Sequence, residues 1–131
     1  MPANYVVDKQ RRLVLSTVNG ELTPSECKQH QDKLLVDPDF DPTYSQLLDF
    51  TNVSNVLLDE SAIRFLAVRH VFTKPSRRAV VSTNPQLTGL LQKAARLRKE
   101  FFGDEVVRFF LDREEALRWL TTGDDSDGGS A

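Results

Sequence analysis

Arg78-Ala79-Val80-Val81-Ser82 runs directly into Thr83-Asn84-Pro85, and this junction decides the fold. The apolar centre predicts a strand at an inner position of a sheet. Asn84 is a good helix cap, and Pro85 suits the first helical position, where its missing N–H is not needed. From there Leu87, Leu90, Leu91, Ala94, Leu97, Phe101 and Phe102 fall on one face at about 100° per residue, and Gly103 can stop the helix. Val106–Leu111 is the next β-prone run. Strand, helix and strand in that order form a crossover unit, which calls for parallel neighbours.

The same grammar extends upstream. Ser45–Phe50 reads as a strand, and Asp59-Glu60-Ser61 opens a second helix that should reach His70 or Val71 before Lys74-Pro75 closes it. Thr23-Pro24-Ser25-Glu26 carries a cap, a proline and a capping-box glutamate, so the first helix starts there and ends near Val36, ahead of Pro38 and Pro42. Tyr5-Val6-Val7 and Leu13–Val18 flank a charged turn and predict an antiparallel hairpin, with Asn19-Gly20 expected to break its second strand. Downstream, Asp112-Arg113-Glu114-Glu115 precedes a fourth helix carrying Ala116, Leu117, Trp119 and Leu120. The expected fold is α/β: a mixed, mostly parallel sheet of about five strands, four helices and an N-terminal β-hairpin. Residues 1–121 should form one domain and 122–131 a disordered acidic tail.

A chain of 131 residues with 40% hydrophobic and 27% charged residues fits one globular domain. The net charge of −2 conceals a strong asymmetry. Met1–Glu60 holds ten acids and five bases, Ser61–Lys99 nine bases and no acid, and Glu100–Ala131 nine acids and three bases. A wholly basic middle is the first functional lead, pointing to an acidic partner or a phosphate-bearing ligand, or to neutralisation of the chain's own acids. No apolar run approaches the roughly 18 to 20 residues of a membrane helix, so no membrane partner and a cytoplasmic location are expected. Cys27 is the single cysteine, and His30 and His70 lack ligand spacing, so no metal or other cofactor is expected. The pI of about 5.7 and the lack of a recognised motif argue against nucleic acid. Phosphate-loop, dinucleotide and nucleophile-elbow motifs are missing as well, so no reaction is expected.

Three local motifs resemble the STAS domain family, named for sulfate transporters and anti-sigma-factor antagonists. Leu15–Thr23 is similar to that family's second strand leading through Gly-Glu-Leu into the first helix. Leu48-Asp49-Phe50 with Asn52-Val53 and Leu58-Asp59-Glu60-Ser61-Ala62-Ile63 resembles its central strand, loop and Asp-x-Ser helix start. Arg78–Ser82 with Pro85 and Leu90 resembles the following strand and helix. The resemblance runs from about Tyr5 to Leu120 and implies a SpoIIAA-like fold and a regulatory protein-interaction role. It also implies that Ser61, preceded by Asp59, is the position a partner kinase phosphorylates. Ala62 and Glu60 depart from the usual residues there, which fits a divergent bacterial SpoIIAA-like subgroup.

Apart from the resemblance, Ser61 is expected in the first turn of a helix, where backbone N–H groups favour negative charge but Asp59 and Glu60 already sit. Asp59 and Ser61 also suit plain capping. In a helix running to His70 or Val71, Phe65, Val68 and Phe72 share with Ser61 a face that either packs on a neighbouring helix or is exposed as a partner or homodimer surface. Arg64 and Arg69 would add positive potential. Arg98 falls inside the apolar stripe of the third helix, so it should snorkel along the core edge or reach an acid or an anionic ligand. The alternative to an interaction module is a carrier of a small apolar or anionic ligand, bound between the sheet and the second and third helices.

Overall fold

The computed structural model describes residues 3–69, 71–73, 76–103 and 106–122. Five strands form one sheet in the order β1 (Ala3–Asp8), β2 (Leu13–Leu22), β3 (Ser45–Val56), β4 (Arg77–Val81) and β5 (Val106–Phe110). β1 pairs antiparallel with β2, and every later neighbour is parallel. The expected mixed sheet with its N-terminal hairpin is thus the one observed. Thr122, expected to open the tail, is instead the last residue of the final helix, and residues 123–131, together with His70, Lys74 and Pro75, lie outside the described residues.

Four helices follow from four caps. Thr23 Oγ1 accepts from Glu26 N at the start of α1 (Pro24–Leu35), and Asp59 Oδ1 accepts from Ala62 N at 2.8 Å to open α2 (Glu60–Ala67). Asn84 Oδ1 accepts from Gln86 N and Leu87 N to open α3 (Pro85–Phe102). Asp112 Oδ2 accepts from Glu115 N beside the start of α4 (Arg113–Thr122).

Period-two alternation then sorts the core into two faces. Val18, Phe50 and Val80 meet Ile63 and Leu66 of α2 and Leu87 of α3, while Val14 meets Leu34 of α1. On the other face Leu47, Ala79, Val81 and Phe110 meet Ala116 and Trp119 of α4. Residues of opposite parity on one strand therefore serve different helices, which explains why β4 reads as continuously apolar.

Two departures from the expected boundaries stand out, one shared by β2 and by β3, which runs past Phe50 to Val56, and one in α2. Asn19-Gly20 bends β2 without ending it: the register with β3 shifts around Gly20, whose φ is +74°, and pairing resumes to Leu22. Glycine adopts that φ without penalty, so the bulge lets β2 and β3 both run long. The second departure is α2, which stops at Ala67. The chain beyond it turns inward, burying Val71 and Phe72 against Val14, Leu34 and Tyr44, with Phe72 edge-on to Phe40 at 5.2 Å.

Candidate functional site

The first turn of α2 places Ser61 on the surface, two residues after the capping Asp59. Glu60 faces α3, where Lys93 Nζ lies 2.7 Å from its Oε1 and holds the carboxyl below its usual range. Phe65, one turn after Ser61, is 51% exposed, and Val68 at the C-cap is 36% exposed. These three residues form a continuous outer strip on α2.

Phe72 does not join that strip. At 4% exposure it is a core residue, because α2 ends five residues before it and the helical spacing that aligned it with Phe65 and Val68 no longer holds. The guanidinium of Arg78 lies over its ring, 4.6 Å from the centroid. The surface expected from Phe65, Val68 and Phe72 is reduced to the first two.

The three singled-out arginines have separate surroundings. Arg69 bridges helices: Nη2 pairs with Asp32 Oδ1, Nη1 donates to Gln31 Oε1 at 2.9 Å, and its guanidinium lies over Phe65. An acid of the chain itself answers that charge. Arg64 is exposed and lines a groove of about 280 Å³ between α2 and α3, with Lys93, Arg96, Glu60 and Glu100 around it. Arg98 neither snorkels to the surface nor stays at the core edge. It is 4% exposed, and Nη1 donates to the carbonyls of Ala67 and Arg69 at the end of α2.

Behind α2 lies a half-open pocket of about 160 Å³, lined by the sheet and by α1, α2 and α3. Its walls are mostly apolar, including Val18, Leu22, Leu34, Phe50, Ile63 and Leu66. The pocket occupies the place expected for a carried ligand, except that α1 also forms part of its wall, through Glu26, Cys27, His30, Gln31 and Leu34.

That wall holds residues the sequence reading passed over. His30 Nε2 lies 2.8 Å from Ser16 Oγ, which also accepts from Gln46 Nε2 at 3.0 Å, and Tyr5 stacks on the His30 ring. Ser16 has 0% exposure, so this hydroxyl–imidazole pair is a satisfied core network and not a nucleophile open to substrate. Burial keeps the His30 ring below the ordinary imidazole value, and pushes the neighbouring Cys27 thiol up to about 12. Tyr5 is likewise raised to about 12, by burial and then by the Asp37 carboxylate, which accepts its hydroxyl at 2.7 Å. The available signal was a polar residue inside each apolar run: Ser16 among Leu13–Val18, Gln46 beside Leu47, and His30 between Cys27 and Leu34.

Among the described residues no group of three or more acids, histidines and cysteines could hold a metal ion, and no helix is long and apolar enough to cross a membrane. No protein-family model matches the chain, and no curated protein matches it. Several solved structures resemble it, two of them as follows. One is an uncharacterized protein of the DUF3478 family with a SpoIIAA-like fold from Shewanella loihica PV-4, 19% identical with a TM-score of 0.56, the match covering 90% of this chain and 93% of that one. The other is an anti-sigma factor antagonist from Mycobacterium paratuberculosis, 12% identical with a TM-score of 0.49 over the same shares. Strand order, hairpin and helix placement agree with the architecture implied by the sequence motifs, and the chain has a SpoIIAA-like fold.

Proposed function

We propose that the protein is a non-enzymatic regulatory interaction module whose contact strip is the outer face of α2, switched by phosphorylation of Ser61. The observation that carries this reading is Phe65, a large aromatic side chain left 51% exposed one helical turn from the exposed Ser61. An aromatic in the open is a typical anchor of a protein interface. Phosphate adds about −1.5 to −2 charges and would meet Asp59 and Glu60 at the same helix end, changing the strip's charge without disturbing the core.

Phe65→Asp tests the contact strip. Light scattering should show loss of self-association, or affinity purification loss of a specific partner, while circular dichroism stays native. An unchanged mass together with an unchanged partner set removes the reading. The switch is tested separately by phosphopeptide mapping and by comparing Ser61→Asp with Ser61→Ala, since only the charged variant should alter binding.

The apolar pocket supports a second reading, carriage of a small ligand behind α2. Native mass spectrometry of the purified chain should then retain a small molecule. Purely unliganded protein that also takes up no added apolar probe counts against it.

A further inference from the structure

The basic stretch Ser61–Lys99 is answered unevenly by the fold. Arg69 is paired with Asp32, Lys93 with Glu60, and Arg98 donates to the carbonyls that end α2, while Arg77 and Arg78 lie over the rings of Trp119 and Phe72. Arg64 on α2 and Arg96 on α3 are exposed, and among the described residues neither forms an ion pair. Both line the groove of about 280 Å³ between the two helices, together with the apolar side chains of Ile63 and Leu97.

We infer that this groove receives an acidic segment of a protein partner, one partner carboxylate bridging Arg64 and Arg96 while apolar side chains beside it cover Ile63 and Leu97. The inference rests on the interaction reading and names the partner's chemistry. Charge comes first. Arg64, Lys93 and Arg96 against Glu60 and Glu100 leave the groove a net charge of +1, which a single carboxylate neutralises. Glu60 already takes its hydrogen bond from Lys93, so the two arginines keep their planar forks for a carboxylate from outside.

Shape decides between anions. A small inorganic ion would leave Ile63 and Leu97 uncovered, and a nucleic-acid backbone, charged at every step, would meet Glu60 and Glu100. A peptide that combines acidic and apolar side chains uses both the cations and the floor. Phe65 follows Arg64 directly and is 51% exposed, so a partner that covers the contact strip passes the rim of the groove. The chain's own Asp124, Asp125 and Asp127 follow α4, which packs on the opposite face of the sheet from α2 and α3.

Amide-detected NMR titration of the full chain with three hexapeptides, alternating leucine with glutamate, glutamine or lysine, tests the assignment. The glutamate peptide should shift Ile63, Arg64, Arg96 and Leu97 and bind about five-fold more tightly than the glutamine peptide, with the lysine peptide not binding; added salt should weaken the glutamate peptide alone. Arg64→Gln and Arg96→Gln should each weaken it about two- to five-fold, whereas Lys99→Gln, exposed on α3 but outside the groove, should leave it unchanged. With Arg64→Glu and Arg96→Glu combined, the preference should invert toward the lysine peptide, a result that no loss of folding produces.

Equal binding of the glutamate and glutamine peptides, no binding of either, or a loss in Lys99→Gln equal to that of the groove variants overturns the assignment. Inorganic phosphate that displaces the glutamate peptide at like concentration makes the groove a small-anion site instead. Peptide binding five-fold tighter after Asp124→Asn, Asp125→Asn and Asp127→Asn together makes the chain's own acids the occupant. If Phe65→Asp abolishes association while the arginine variants alter neither association nor peptide affinity, the groove assignment fails alone. If the arginine variants behave as stated and Phe65→Asp changes nothing, the contact strip fails alone.

Discussion

Arg98 Nη1 lies 2.9 Å from the carbonyl oxygen of Ala67, the last residue of α2, and 2.8 Å from that of Arg69. The last carbonyls of a helix have no partners within it and carry its negative dipole end. A buried guanidinium from α3 answers both needs. It closes α2 at a point where the local sequence would allow another turn, and the chain beyond is released to send Val71 and Phe72 into the core.

Replacing that guanidinium should be costly. Arg98→Leu keeps much of the apolar stem but strips a donor from two carbonyls, so a loss of about 2–4 kcal/mol is expected in urea unfolding. Arg98→Lys should recover only part, because an ammonium cannot reproduce the planar fork. A loss below about 0.5 kcal/mol for Arg98→Leu would mean the two contacts do not hold α2 closed.

This contact also marks the limit of what the sequence reveals. All four helix starts were legible because a cap and its first turn lie within four residues, as with Thr23 and Glu26 or Asn84 and Leu87. The end of α2 was not legible, since it depends on an arginine 31 residues away, and Phe72 was misplaced with it. Gly20 misled for a related reason: a glycine that permits a bulge and one that ends a strand look alike until β3 is beside it. Ser61, Arg64 and Phe65 lie within the turns of α2 that local pattern does control, and all three are exposed, whereas the pattern alone left the Phe65 face open to packing on a neighbouring helix.

Glycine substitutions should separate these two kinds of control. Gly20 has φ of +74° and nothing within 4 Å of a built Cβ, so Gly20→Ala is strained by its backbone alone and should cost about 1–2 kcal/mol. Gly89 lies inside α3 with equally open space and no positive φ, so Gly89→Ala should stabilise by up to about 1 kcal/mol. Opposite shifts in thermal midpoint are the expected outcome. Shifts of the same sign would contradict the bulge at Gly20.

The buried His30 gives the fold a pH dependence with a definite sign. Burial lowers its proton affinity in the native state, so the unfolded chain binds the proton more readily. Stability from this residue is fully present above the ordinary imidazole value of 6.5 and falls as pH drops below it toward the native value. Unfolding free energy measured from pH 7.5 to 5 should decline, and His30→Gln should flatten that decline even if it lowers stability at pH 7.5. An unchanged slope in His30→Gln would assign the acid sensitivity to other groups.

Asp59 and Ser61 share the first turn of α2 but should respond differently to substitution. Asp59 Oδ1 holds Ala62 N at 2.8 Å, so Asp59→Ala removes a cap and should cost about 1 kcal/mol. Ser61 is exposed, and Ser61→Ala should change stability by no more than about 0.5 kcal/mol. Ser61→Asp should also stay close to the parent, because a negative charge near a helix N-terminus is favourable while Asp59 and Glu60 oppose it. Loss of partner binding in Ser61→Asp at unchanged stability would then report charge on the α2 strip. If Ser61→Ala proves as destabilising as Asp59→Ala, Ser61 supports the helix start itself, and altered binding in either Ser61 variant could not be credited to a switch.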